Sequence, residues 1–293
     1  MKYLVILNPT SQHGKALELK DSLASTLKGL ELDFTLHVSS SPSDVIETVK
    51  KNLDNYTNFI SFGGDGTLHS MANILVNNTD KNLGVIPMGS GNDIARNLNI
   101  PLEMEAACRV IKNCNLRKID MGLINGKYYY LAISGAGFDS VVNDLANNTK
   151  FPIKGPAKYT YAVYKTLLTY RSKKFHIKYD GTQRTVDAMF IVVGNMTSYG
   201  GGMKIIPDAD PEDGILDVCI IKRMSKLHFI KIFPSVFKGE RVNDSCVEIL
   251  RAENVEIDSD YNFSVFAEGE YMCKLPAKFE IAKKSLNFIV GAK

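Results

Sequence analysis

The 293 residues lack most of what would mark a chain for nucleic acid, for the extracellular space or for the membrane interior. Lys and Arg number 35 against 32 Asp and Glu, a net charge of +3. That excess is too small to argue for a nucleic-acid partner, though it allows local basic patches facing phosphates or an anionic bilayer. The five cysteines, Cys108, Cys114, Cys219, Cys246 and Cys273, include no CxxC pair and no Cys/His ligand spacing. An odd, scattered set reads as reduced thiols in a reducing compartment rather than as a disulfide framework. Five histidines without a cluster argue against a metal hydrolase. No stretch approaches the roughly 20 apolar residues that a membrane span requires. The opening MKYLVILNPT is interrupted at Asn8 and Pro9, too early for a signal-peptide core and in keeping with a first strand. Internal repeats and low-complexity segments are absent. Together these absences predict a cytoplasmic protein, with membrane contact only peripheral, at the inner membrane face.

What is present is ordinary globular material, 45% hydrophobic and 23% charged, at a length where one core gives way to two. The first third alternates strand and helix signals. Tyr3 to Leu7 is a short apolar run of the kind buried on both faces of a parallel sheet, and Leu32 to Val38, Phe59 to Phe62 and Leu83 to Pro87 read as the second, third and fourth strands. Between them, Leu17, Leu23, Leu27 and Leu30 recur at helical spacing. Ser41-Pro42-Ser43-Asp44 forms a helix start, followed by a stripe of Val45, Ile46, Val49 and Leu53. Leu68, Met71, Ala72 and Leu75 mark another helix. Alternation of this kind implies a doubly wound sheet, whose ligands bind beyond the carboxyl ends of the strands.

From about Arg117 the texture turns extended and β-branched: Lys127 to Ser134, Phe175 to Tyr179, Ala188 to Gly194, Ile215 to Ile221 and Val247 to Ile257. Asp180-Gly181 is a hairpin signal, and helices are expected around Tyr159 to Tyr170 and Lys226 to Phe237. The expected division is an α/β domain over residues 1–122 and an antiparallel β domain over 123–282. A tail of about 283–293 would pack back on the first, and the hinge would lie near Arg117 to Asn125.

The chemistry concentrates in glycine-rich loops that follow strands. Gly63-Gly64-Asp65-Gly66-Thr67 lets backbone N–H groups approach an anion at a helix start, and Asp65 there suits a magnesium-bound water beside phosphates. The same sequence also serves as a plain strand-to-helix turn. Pro87-Met88-Gly89-Ser90-Gly91-Asn92-Asp93 repeats the pattern one strand later, with helix capping by Asn92 and Asp93 as the alternative. A third loop, Asn8-Pro9-Thr10-Ser11-Gln12-His13-Gly14-Lys15, follows the first strand, and Lys15 could reach a phosphate.

GGDGT paired with PMGSGNDIARNL after NPTSQHGK resembles the diacylglycerol kinase catalytic family, which includes sphingosine and ceramide kinases and soluble bacterial lipid kinases. Ile119-Asp120-Met121-Gly122, Ser134-Gly135-Ala136-Gly137-Phe138-Asp139, Gly194-Asn195, Gly200-Gly201-Gly202, Pro207-Asp208-Ala209-Asp210 and Asp213 to Val218 extend the likeness over nearly the whole chain, in order. The resemblance implies a phosphofructokinase- and NAD kinase-like α/β domain, a C-terminal β-sandwich, ATP in the cleft between them, and Mg²⁺. By carry-over, Asn8, Pro9, Thr10, Ser11, Lys15, Ser39, Gly63, Gly64, Asp65, Gly66, Thr67, Ser90, Gly91, Asn92 and Asp93 belong to the nucleotide site. Asp65 and Asp93 join the magnesium and water network. The family's structural Mg²⁺ loop falls on Asp213, with backbone carbonyls from Asp210 and Ile215. In Ala267-Glu268-Gly269-Glu270, Glu268 stands where relatives usually have Asp, so Glu268 and Glu270 are both candidates for the general base. Ser70 stands where relatives commonly have Glu.

The expected activity is therefore Mg-dependent transfer of the γ-phosphate of ATP to the hydroxyl of diacylglycerol or a related membrane lipid. An NAD kinase-like enzyme and a lipid- or nucleotide-binding homologue with impaired catalysis are the alternatives. Candidate docking faces for the bilayer are Lys154, Lys158 and Lys165 with Tyr159, Tyr161 and Tyr164, and Lys226, Lys231 and Lys238 with Phe229, Phe233 and Phe237. A homodimer is a further possibility.

Overall fold

The computed structural model describes residues 1–148, 156–238 and 242–292, and the side chains of all of these except 147, 148, 156–160 and 236–238. Contacts divide the chain into two units, Met1–Met121 with Lys283–Lys293, and Gly122–Ala282.

In the first unit, strands β1 (Lys2–Leu7), β2 (Asp33–Val38), β3 (Asn58–Gly63) and β4 (Asn82–Pro87) alternate with helices α1 (Lys15–Glu18), α2 (Lys20–Gly29), α3 (Pro42–Lys51) and α4 (Asp65–Leu75), and α5 (Asp93–Asn97) and α6 (Met104–Asn113) follow. The strands pair in parallel in the order β2-β1-β3-β4. The end of the chain's last strand, β15 (Ala277–Ile289), adds to β4 in parallel, with Asn287 opposite Asn82 and Phe288 opposite Leu83. Both β3 and β4 are buried along their whole length, which is why their sequences read as unbroken apolar runs rather than as alternation. Helix α3 starts where Ser41 accepts a hydrogen bond from Asp44 N at 3.1 Å, with Pro42 at its first position. The leucine stripe expected from Leu17 onward is interrupted at Leu19, whose ψ of 2° leaves the helical region and separates α1 from α2. Leu17 is consequently 49% exposed, while Leu23 and Leu27 are buried.

Strand β5 (Leu116–Ile124) runs from the first unit into the second. There follow β6 (Tyr128–Tyr130), β7 (Ile133–Gly137), α7 (Phe138–Asn148), α8 (Pro156–Thr169), β8 (Lys173–Tyr179), β9 (Thr182–Gly194), β10 (Leu216–Lys222), α9 (Lys226–Lys238), β11 (Val247–Ala252), β12 (Asn254–Ser259), β13 (Ser264–Ala267) and β14 (Glu270–Lys274). The pairing is antiparallel throughout, running β14-β13-β7-β9-β8-β12-β15, with β10 bridging β9 and β11. The expected run from Val247 to Ile257 is two strands with different partners, since β11 joins β10 while β12 joins β8 and β15. The run from Lys127 to Ser134 likewise divides into β6 and β7. One apolar core formed by Tyr130, Phe175, Ile191, Val218, Val255 and Phe279, among others, holds these strands together. Among the described residues no helix is long and apolar enough to cross a membrane.

Candidate active site

Strand β1 sits between β2 and β3, so the chain turns to opposite sides of the sheet after β1 and after β2. At such a switch point the loops beyond the carboxyl ends part and leave a crevice. The loops after β1 and β3 flank it, and the loop after β4 adjoins them.

Hydrogen bonds and close backbone packing join the three loops. Asn8 N donates to Phe62 O at 3.0 Å, and Asn8 Nδ2 donates to Thr67 Oγ1 at 2.8 Å. Asn8 Oδ1 accepts from Thr10 N at 3.1 Å and from Thr10 Oγ1 at 2.9 Å. Gln12 Nε2 reaches Gly89 O at 3.2 Å. Ser39, buried beside the first loop, donates to Leu7 O at 3.1 Å. Glycine is demanded where the second and third loops meet. A Cβ on Gly89 would lie 2.7 Å from Gly64 Cα, and one on Gly64 would lie 3.0 Å from Gly89 Cα. Asn92, in the left-handed region at φ 54°, closes the third loop on Gly89 by accepting from its N–H at 2.7 Å and donating to its carbonyl at 2.9 Å.

Asp65 has a position that the sequence did not suggest. Its carboxylate accepts from Asp93 N and Ile94 N, both at 3.4 Å, and so faces the start of α5. Helix α4 opens at Gly64 without any side-chain cap, leaving that end suited to an anion. Pro9, Ser11 and Gly91 are half-buried, Asp93 is buried, and Thr10, Lys15, Gly66 and Ser90 are exposed. Ser70 donates to Gly66 O at 3.0 Å within its own helix.

The second unit carries the carboxylates. Glu268 and Gly269 form a two-residue turn between β13 and β14, with φ of 52° and 82°. Positive φ at both central positions is the primed hairpin geometry, and for a glutamate it is an uncommon, strained conformation of the kind found at functional sites. The Glu268 carboxylate is fixed there: Oε1 accepts from Leu131 N and Ala132 N, each at 2.7 Å, while Glu268 N donates to Ile133 O at 3.2 Å. Asn195 braces the same segment, donating from Nδ2 to Leu131 O at 2.9 Å and from N to Ala132 O at 2.8 Å. Tyr130 is buried alongside, and desolvation together with the Glu268 charge holds its phenol well above the usual range. Glu270, by contrast, is exposed.

Asp139 is a further carboxylate that sequence reasoning quoted but gave no role. It opens α7, accepts from Ser140 N at 2.8 Å, and turns Oδ2 over Gly135, where a Cβ would come within 2.2 Å. Desolvation pushes this carboxyl up to about 7, against hydrogen bonds that lower it. Only Gly135, three residues before Phe138, hinted at so enclosed a group.

The acidic loop before β10 offers hard oxygen donors. Asp213 Oδ1 accepts from Ile215 N at 3.1 Å, and Asp210 O accepts from Asp213 N at 3.4 Å. Arg251, opposite Asp217 on β11, contacts Asp213 Oδ2 and reaches Asp217 Oδ1 at 3.5 Å. Asp217 is buried, its Oδ2 has no hydrogen-bond partner, and burial pushes its carboxyl up to about 6, with Arg251 lowering it and Asp213 and Asp208 raising it. The Asp213 carboxylate with the carbonyls of Asp210 and Ile215 fits a hard divalent cation, for which Arg251 is a competitor.

Lys154, Lys158 and Tyr159, and likewise Phe237 and Lys238, lie outside the residues whose side chains are described. Of the remaining docking candidates, Phe229 is buried and Phe233 half-buried, while Tyr161, Tyr164 and Lys165 on α8 and Lys226 and Lys231 on α9 are exposed. Leu168, Leu227 and Ile230, which sequence reasoning missed, are exposed at 72%, 81% and 44%. Lys226 Nζ contacts Leu168 O, which brings the end of α8 to the start of α9.

Comparison with known proteins gives one family over nearly the whole chain. The sequence model of the diacylglycerol kinase catalytic domain matches residues 2–124, and that of the YegS C-terminal NAD kinase beta sandwich-like domain matches 132–290. The diacylglycerol kinase of Mycobacterium tuberculosis is 32% identical over 295 residues, covering 98% of this chain and 94% of that protein. The diacylglycerol kinase of Bacillus subtilis is 31% identical over 282 residues, covering 94% and 91%. The crystal structure of a diacylglycerol kinase from Bacillus anthracis has the same fold, with a TM-score of 0.76 at 20% identity and coverage of 99% and 97%. Yeast NADH kinase shares the fold more distantly, with a TM-score of 0.56 at 8% identity and coverage of 100% and 84%. With an α/β sheet followed by a β-sandwich-like unit and relatives at this identity over both, the chain belongs to the diacylglycerol kinase family, a family of lipid kinases.

Proposed function

We propose that this chain transfers the γ-phosphate of ATP to the hydroxyl of diacylglycerol or a closely related membrane lipid, with Mg²⁺. The observation that carries the reading is the convergence of three glycine-bearing loops beyond β1, β3 and β4, fastened by the Gly64–Gly89 approach and by Asn8. A backbone so close and so bare of Cβ atoms suits a triphosphate, with the uncapped start of α4 supplying N–H groups and positive dipole. Asp65 and Asp93 are the residues that would hold Mg²⁺ there, and the ion, when bound, supplies neutralisation of phosphate charge.

The proton acceptor in this reading is Glu268. Its carboxylate is oriented by two backbone N–H groups, whereas Glu270 is exposed with no comparable support. Phosphoryl transfer asks mainly for positioning and charge stabilisation. As the lipid hydroxyl oxygen bonds to the γ-phosphorus and the bridge to ADP breaks, the hydroxyl proton passes to the Glu268 carboxylate. Such general-base help is worth about 10² to 10⁴ in rate.

The acceptor comes from a bilayer, and the face shared by α8 and α9 is the docking surface we assign. It presents Tyr161, Tyr164, Leu168, Leu227 and Ile230 with Lys165, Lys226 and Lys231. No acidic residue occurs from Pro156 to Tyr179 or from Val218 to Gly239. Exposed aromatic and aliphatic side chains among lysines match an anionic lipid surface. Peripheral contact at the inner membrane face follows from the same reading.

The test is incubation with γ-labelled ATP, Mg²⁺ and vesicles that contain diacylglycerol, phosphatidylglycerol, monoacylglycerol or a sphingoid base, with NAD in a separate arm. A labelled lipid phosphate, most abundant with diacylglycerol, is expected. Label on NAD alone would transfer the assignment to nucleotide phosphorylation, and ATP binding without transfer to any lipid would reduce the protein to a binding homologue.

A further inference from the structure

Sequence spacing held no Cys/His ligand pattern, yet folding brings one together on the second unit. His228 lies in the first turn of α9, and Asp244 and Cys246 lie in the turn before β11. Their ligand atoms, one nitrogen, one carboxylate oxygen and one sulfur, all lie within 4.8 Å of one another. His228 Nε2 and Asp244 Oδ2 are 2.8 Å apart. All three residues are half-buried, so the cluster is reachable from solvent but partly sheltered from it.

We propose that His228, Asp244 and Cys246 form a zinc-binding site, separate from the residues assigned to phosphoryl transfer. Imidazole, thiolate and carboxylate together are the donor set of Zn²⁺, whereas Mg²⁺ and Ca²⁺ select oxygen alone. Tetrahedral zinc, with bonds of about 2.0–2.3 Å, needs its donors about 3.3–3.6 Å apart, so the His228–Asp244 pair opens by about half an ångström and an inward shift of the sulfur of about an ångström suffices. The surroundings fix the donors in the way that outer-shell partners orient metal ligands. Asp244 Oδ1 accepts from Cys246 N at 2.8 Å, and Ser225 Oγ accepts from His228 N at 3.2 Å. Cys246 Sγ lies 3.7 Å from Arg223 O, at the end of β10. Three protein ligands leave a fourth position for water. Binding releases the Cys246 thiol proton to solvent. The ion would tie the start of α9 to the start of β11. The same helix supplies Phe229 and Phe233 to an apolar cavity whose other walls include Phe190, Tyr199, Met203 and Ile249.

The experiment uses the full chain, reduced and freed of metal, titrated with Zn²⁺ by calorimetry in two buffers of different ionisation heat. One Zn²⁺ per chain, proton release and a rise in Tm are expected. His228→Ala and Cys246→Ser should each weaken binding about 100-fold, and Cys114→Ser should leave it unchanged. Co²⁺ in the wild type should give a thiolate charge-transfer band that Cys246→Ser abolishes, a readout that does not depend on how stably the variants fold. Stoichiometry far below one, or no thiolate band with Co²⁺, overturns the site and leaves a His–Asp ion pair beside a bystander thiol. Zinc binding equal in wild type and Cys246→Ser overturns it as well.

Discussion

The candidate residues of the first unit come mostly as short runs of neighbours in three turns, while those of the second are single side chains brought together over long separations. Gly63 to Thr67 and Gly89 to Asp93 each form one turn after one strand, and they act mainly through backbone. Glu268 takes its position from N–H groups 136 and 137 residues away, and Asp217 meets Arg251 only because β10 pairs with β11. Phosphate binding by a turn is local chemistry, whereas orienting a single carboxylate is tertiary. Substitutions in the glycine turns should therefore weaken nucleotide affinity, whereas substitutions of the oriented carboxylates, Asp65 and Glu268, should lower turnover.

The largest expected effect is that of Asp65→Asn, which retains an oxygen to face Asp93 N and Ile94 N but loses the charge. Labelled-lipid turnover should fall at least as far as it does for loss of the base, by about 10² to 10⁴. Glu268→Gln should lower kcat over the same range with KM for ATP little changed, because the amide oxygen can still accept from Leu131 N and Ala132 N. Glu270→Gln should leave kcat near wild type, and a result that exchanges the two glutamates would move the base to Glu270. Gly89→Ala forces a Cβ to 2.7 Å from Gly64 Cα. Overpacking of that kind costs about 1–3 kcal/mol, so the Kd for ATP should weaken by about tenfold or more while lipid vesicle binding is retained.

Smaller effects sharpen the contrast within the second unit. The Asp139 carboxyl is pushed from 3.8 up to about 7. Between those values the folded chain retains a proton that the unfolded chain has released, so stability falls as pH rises through this window and is level above it. Each pH unit there is worth about 1.4 kcal/mol at most. Asp139→Asn lacks that loss, so its Tm should gain on the wild type from about pH 4 to pH 7. A difference in Tm that does not change with pH would contradict the enclosed carboxyl. Arg251→Met should lower Tm by a few degrees without Mg²⁺ and recover part of that loss with it, since the guanidinium and a divalent cation compete for Asp213.

Legibility in the sequence followed the same division. Strands β1, β3 and β4 were readable because burial on both faces leaves continuous apolar runs, and α3 was readable because Ser41 and Pro42 announce it. The split of Val247 to Ile257 into β11 and β12 was not readable, because a single Glu253 separates two strands whose partners are set far away. The aromatic stripe of α9 misled in part. Phe229 points into the core, and among the described residues of this helix the exposed large apolar side chains are Leu227 and Ile230. Asp65 was legible as a key carboxylate, but its approach to the start of α5 depends on how the turns after β3 and β4 pack together.

The central claim is that the glycine turns beyond β1, β3 and β4 receive the triphosphate of ATP. Its most direct test is a crystal structure of the chain with a non-hydrolysable ATP analogue and Mg²⁺. The account predicts phosphate oxygens on the backbone N–H groups of residues 64 to 67, with the metal beside Asp65. Nucleotide bound elsewhere, with those turns unchanged, would contradict it.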